Sequence, residues 1–300
     1  MDLLTAPRPG GDPSAAGEEP RPHPGRRRPH AALPRWWQEG LAVVSFYLVY
    51  TVVRDAQTTA GGRARAISDA LSVVHAEQSM GIWREAWVQH LFVDHRWLME
   101  VCDSFYGTAH FLMVIFVLLL LYFRNPGRYR RWRNTLAATT AIALVVFAAF
   151  PVAPPRLMPA PYHLVDSLLT IGGFWDFYHG PVAQVSNQYA AMPSLHTAWS
   201  TWCVLAVWPM VRRRWARLLL VAYPVLTVFC IVVTGNHFFL DAAGGVATVA
   251  LAAVACRWWA RAAAASAGRL SLSLRRPPPV SSPAPVGPPA VGSAATHPCE

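Results

Sequence analysis

Three stretches without a single Asp, Glu, Lys or Arg constrain this chain most: those between Asp103 and Arg124, between Arg133 and Arg156, and between Arg217 and Asp241. Each runs for about twenty residues, enough for an α-helix to cross a hydrocarbon layer of about 30 Å. In such a layer backbone N–H and C=O groups must be bonded within the segment, so an apolar run of this length is helical. The composition agrees, with 54% hydrophobic and 14% charged residues among 300. The chain reads as a membrane protein.

Six helical spans can be placed, at about 36–56, 98–123, 133–152, 195–211, 216–235 and 239–260. The expected fold class is therefore all-α, a polytopic bundle of six transmembrane helices. Arg54 and Asp55 shorten the charge-free part of the first span, where Arg54 can snorkel to the interface.

Arginine orients the spans. The sequence contains no lysine, so all 26 basic residues are arginines and the net charge is +10. A P-loop and a Schiff-base lysine are thereby excluded. Nucleic-acid binding is not indicated either, because the arginines flank apolar blocks: Arg26, Arg27, Arg28 and Arg35 before the first span, and Arg124, Arg128, Arg130, Arg131 and Arg133 after the second. Arg212, Arg213, Arg214 and Arg217 follow the fourth span, and Arg257 and Arg261 follow the sixth. Basic loops stay in the cytoplasm. Both termini are expected there, in the cell (plasma) membrane, with the loops 57–97, 153–194 and the turn at Asn236 outside.

Residues 1–34, rich in Pro, Gly and Arg, lack an apolar signal core and read as a disordered cytoplasmic tail. Residues 35–262 form the membrane domain, and 263–300 a second Pro/Ala-rich disordered tail. Cys102, Cys203, Cys230, Cys256 and Cys299 show neither zinc nor disulfide spacing. In the first outward loop, Ile67, Leu71 and Val74 recur at helical spacing within 66–92, which reads as one interfacial helix or as a plain connector.

The outward side collects three polar clusters. Pro154, Pro155 and Arg156 leave the third span; Pro193, Ser194 and His196 enter the fourth; Asn236, His237 and Asp241 join the fifth to the sixth. His237 and Asp241, four apart, stack on one helix face, so the carboxylate can bond one ring nitrogen and leave the other free. A structural His–Asp pair at a helix start is the plain alternative. Ser194 can cap a helix, and its N-terminal N–H groups with Ser194 could hold phosphate oxygens beside His196. Arg156 is the single arginine between Pro151 and Ser194 and could bind phosphate through two hydrogen bonds, or simply rest among headgroups. Tyr106 and His110, one turn apart inside the second span, are further pocket candidates, with Asn236. Arg54, Glu85, Asp166, Asp176 and His179 also lie outward, with nothing in the sequence placing them at the site.

These motifs, Pro193-Ser-Leu-His196 and His237 followed by Asp241 behind an Arg-bearing loop, resemble the type-2 phosphatidic acid phosphatase superfamily. The match is closer to its branch related to inositol phosphorylceramide synthases, through Ala153-Pro-Pro-Arg156 and Thr234-Gly-Asn-His237, and covers roughly 36–260. The resemblance implies that His237 is the nucleophile forming a phosphohistidine, that Asp241 orients it, and that His196 protonates the leaving group. It implies no metal and no cofactor, and a lipid phosphate as partner within the bilayer. The chain departs from the wider family pattern by lacking the Lys and Arg of the first motif and the upstream Ser-Arg pair, whose places fall at Cys230 and Ile231. With two phosphate-binding cations missing, an inositolphosphotransferase-like lipid phosphotransferase is expected ahead of a lipid phosphate or polyprenyl diphosphate phosphatase. A lipid transporter, an inactive scaffold and a zinc enzyme built on His196, His237 and Asp241 are the other readings.

Overall fold

The computed structural model describes residues 36–274 except 163, 175, 177 and 180–186, together with Gly287. Its described residues form helices joined by loops, with one isolated parallel bridge between Val152 and Ala190. The helices are α1 (Trp36–Gln57), α2 (Ala60–Ser79), α3 (Glu85–Phe92), α4 (Arg96–Arg124), α5 (Pro126–Ala149), α6 (Ser167–Thr170), α7 (Leu195–Val207), α8 (Arg214–Val233) and α9 (Phe239–Leu274). The expected tails fall mostly outside the described residues; α9 itself continues past residue 262, through an alanine run that favours helix.

Four helices are long and apolar enough to cross a membrane: α4, α5, α8 and the 239–267 part of α9. Their outer faces are apolar, as at Phe111, Leu112, Ile115 and Phe116 of α4 and at Leu218, Val225 and Leu226 of α8. Lipid can cover such faces, while the buried side of the bundle mixes large apolar side chains such as Trp202, Phe147 and Leu121 with small and polar ones such as Ala143, Thr139 and Ser200. The helix expected at 195–211 is α7, only 13 residues long before a 3-10 turn at Trp208–Met210, hence about 20 Å of α-helix. It is the hub of the bundle, packed on α4, α5, α8 and α9. Trp202 anchors it, fully buried, with its Nε1–H donating to the Trp132 carbonyl at 2.9 Å. The third span begins at Pro126 rather than 133, because Asn125 accepts from the Arg128 N–H and Pro126 takes the first helical position.

The expected single helix at 66–92 is two. The chain breaks at Gly81, whose φ of 71° is a left-handed conformation that glycine adopts without steric cost. The buried face of α2 is also one step away from the expected one: Ala66, Ala70, Val73, Val74 and Glu77, with Ile67 and Leu71 at its edge. That face packs on Val152, Ala153, Ala191 and Phe238, all beside the three polar clusters.

Candidate functional site

The three polar clusters meet because their backbones are tied together. Val152 N–H donates to Tyr189 C=O, and Ala191 N–H to Val152 C=O, both at 3.1 Å. Ser194 N–H bonds the Asp241 carbonyl, and Arg156 N–H bonds the Gly235 carbonyl. Two glycines permit this closeness. Gly235 has φ 67°, and a Cβ there would lie 3.2 Å from Arg156 Cβ. At Gly245 in α9 a Cβ would stand 2.4 Å from the Ser194 carbonyl oxygen, so only glycine lets α9 pass the start of α7.

His237 sits 3% exposed in the turn before α9. Its Nδ1 lies 2.9 Å from the Ala191 carbonyl oxygen and 3.3 Å from Asp241 Oδ2. Both oxygens are acceptors when Asp241 is ionised, so Nδ1 carries the hydrogen and Nε2 holds a lone pair. Nε2 points at His196 Nδ1, 3.3 Å away. Asp241 Oδ2 also accepts from the Phe238 N–H at 2.9 Å, which fixes the carboxylate against its own helix start. The arrangement presents one imidazole nitrogen with a basic lone pair, backed by a carboxylate, and a second imidazole able to move a proton beside it.

His196 is held between aromatic neighbours. Tyr106 stacks on it with ring centroids 4.3 Å apart, and His110 meets it edge-on, also at 4.3 Å. Both sequence candidates on α4 therefore reach the site, through His196. Ser194 caps α7, its Oγ accepting from Thr197 N–H at 3.3 Å, and is fully buried.

Arg156 is positioned by Asn236, whose Oδ1 accepts from its Nε at 2.8 Å; Asn236 Nδ2 donates onward to Thr234 Oγ1. Its Nη1 donates to Asp166 Oδ2 at 3.1 Å and to Tyr178 Oη at 2.6 Å, and the Tyr178 hydroxyl donates to the same carboxylate. Burial raises the Tyr178 pKa above its usual value, and the hydroxyl keeps its proton. Asp166 thus joins the site, and Glu85 reaches its edge, its Oε1 accepting from the Phe239 N–H two residues past His237. His179 and Asp176 pair with each other in an exposed position, and Arg54 pairs with its neighbour Asp55.

Several partners escape sequence reasoning. Gln89 of α3 donates to the Val165 carbonyl and accepts from its N–H, clamping the segment that carries Asp166. Ser167 donates to Asp103 of α4, linking that helix to the loop. Glu77 did leave a signal, an acid on the apolar stripe of α2. Among the described residues no three His, Cys, Asp or Glu side chains converge as a metal-holding group.

The PAP2 superfamily model matches residues 71–255, more than half of the chain and nearly all of the bundle that builds this cluster. The chain belongs to that superfamily, and membership supports an activity of phosphatase or phosphotransferase type. No curated protein and no solved structure matches it.

Proposed function

We propose that the protein is a membrane-embedded, metal-independent lipid phosphotransferase, inositolphosphotransferase-like in kind, with His237 as its nucleophile. One observation carries this: His237 Nδ1 is committed to Ala191 and Asp241, so Nε2 alone is available to attack. In the first step Nε2 bonds to phosphorus while the bond from phosphorus to the leaving alkoxide breaks. His196 donates a proton to that oxygen, and Asp241 balances the charge gained by the His237 ring. In the second step a lipid alcohol gives its proton to His196 and its oxygen to phosphorus, and the N–P bond breaks. Arg156, steered by Asn236, binds the non-bridging oxygens, with Ser194 at the α7 start beside them.

The preference for transfer over hydrolysis rests on charge. A phosphomonoester dianion asks for more cations than Arg156, whose Nη1 is already shared with Asp166. A phosphodiester carries one negative charge and fits better.

In the membrane, α1 and α7 complete a six-span bundle with the four apolar helices. Support comes from the apolar outer face of α1, with Val43, Leu48 and Val52 exposed. Residues 35–262 are the working domain, flanked by tails, and α2 lies along the outer surface. The arginine-rich turns sit in the cytoplasm of a plasma-membrane protein with both termini inside.

The test is a panel of phosphatidic acid, polyprenyl diphosphate, phosphatidylinositol and phosphatidylglycerol presented to the protein and to His237→Ala in detergent, and to sealed spheroplasts from outside. Expected are a new phosphorylated lipid product, loss of at least about 10³-fold turnover in the variant, and access from the outer side. Equal turnover by the variant defeats the nucleophile; free phosphate as the sole product replaces the transferase by a phosphatase.

A further inference from the structure

The start of α9 offers three consecutive backbone N–H groups, and each finds a carboxylate. Phe238 N–H donates to Asp241, Phe239 N–H to Glu85 Oε1 at 2.9 Å, and Leu240 N–H to Glu77 Oε1 at 2.7 Å. The last two acids come from α3 and α2, more than 150 positions away in sequence. Neither has any exposed surface. A helix start leaves its first N–H groups without intrahelical partners, and these are ordinarily met by the residue just before the helix. Here that residue is Phe238, which carries no acceptor, and His237 immediately precedes it.

We propose that Glu77 and Glu85 are positioning residues for phosphoryl transfer: by holding the Phe239 and Leu240 N–H groups they set the direction in which His237 presents Nε2. The inference rests on the reaction proposed above. Glu85 has a second hold, since its Oε2 accepts from the Arg84 N–H at 3.0 Å, closing the first turn of α3 on itself. Four residues on, Gln89 clamps the Asp166 segment that holds Arg156. Helix α3 therefore bears on both His237 and Arg156 through one face. The outward segment 60–92 is in this view part of the catalytic apparatus.

Two carboxylates this close cannot both ionise cheaply in a buried place. Burial, then the neighbouring Glu85 carboxyl, pushes the Glu77 pKa up to about 9. The titratable groups facing it are Glu85 from α3 and Asp241 from α9. Because the folded value lies above the unfolded one, the associated stability is complete below about 4.5 and is lost progressively as pH rises toward about 9. Beyond that Glu77 is charged in a buried place, and its grip on α9 weakens.

The experiment uses the full chain in detergent, with phosphatidylinositol and phosphatidic acid as probes and amide hydrogen exchange of the 238–242 peptide as a substrate-free readout. Glu77→Leu, which removes the acceptor, should speed that exchange about tenfold and lower kcat about tenfold, with KM changed less than about threefold. Glu77→Gln keeps an acceptor, so it should retain kcat at pH 7 and lack the decline of activity expected of the unaltered protein above about pH 9. Unchanged exchange and kcat in Glu77→Leu overturn the proposal. If that variant does not fold, an alkaline decline of the same size in Glu77→Gln overturns it. An unaltered protein that turns over neither lipid defeats the phosphoryl-transfer reading, and the exchange result then decides the hold on α9 alone.

Discussion

The working pair is asymmetric at the scale of single residues. Asp241 and the Ala191 carbonyl compete for one His237 hydrogen, at 3.3 and 2.9 Å. The carbonyl contributes the shorter contact; in the proposed transfer the carboxylate would contribute the charge that an attacking imidazole needs. Asp241→Asn keeps an acceptor for the Phe238 N–H and so keeps the fold. It should lower kcat by about 10³-fold with little change in KM, measured by steady-state turnover; a loss confined to KM would mean that the carboxylate binds substrate instead. His237 and Asp241 were legible as a pair because they lie four residues apart, although His237 stands in the turn before α9 rather than on its face, and Tyr106 and His110 were legible because both lie on α4. The partners of Arg156 were not legible. Asp166 and Tyr178 reach it through a loop whose closure depends on Gln89, and no sequence pattern encodes such a contact.

At the scale of elements, the crossing of α9 over the start of α7 decides whether the histidines face each other. Gly245 makes that crossing possible, and the contact it spares is with backbone, which cannot swing aside. Gly245→Ala should therefore force α9 outward, destabilising the protein by about 1–3 kcal/mol and separating His237 from His196. A lowered midpoint of thermal unfolding in detergent, with activity falling further than stability accounts for, is the expected result; an unchanged midpoint would mean that the two helices are free to part. Element positions were largely legible where charge bounds an apolar run, as for α4, α8 and α9. Two readings needed correction for local reasons. The span at 133–152 begins at Pro126 because a capping asparagine outweighs the cluster of arginines that follows. The segment 66–92 is broken by Gly81, which a stripe of Ile67, Leu71 and Val74 did not reveal, since the true buried stripe is built on small alanines and ends in Glu77.

For the whole molecule, four helices meet the length and apolarity that a membrane demands, while α7, short and central, is the element that collects the others. This division suits a site at one end of a bundle: the long helices bear on lipid, and the short one delivers His196 under the turn that carries His237. The superfamily match over 71–255 spans that arrangement and leaves out the whole of α1, which packs on α5 and α2, and the first half of α2. The convergence of three distant motifs on one end was legible from arginine placement alone, because topology requires no knowledge of side-chain contacts. The central claim is that a phosphoryl group passes through His237. Its most direct test is a rapid-quench reaction with lipid radiolabelled at phosphorus, followed by mapping of the acid-labile, base-stable label to a peptide. Label on the peptide containing His237, absent from His237→Ala, is the result expected; label on any other residue, or none while the unaltered protein turns over its substrate, would contradict it.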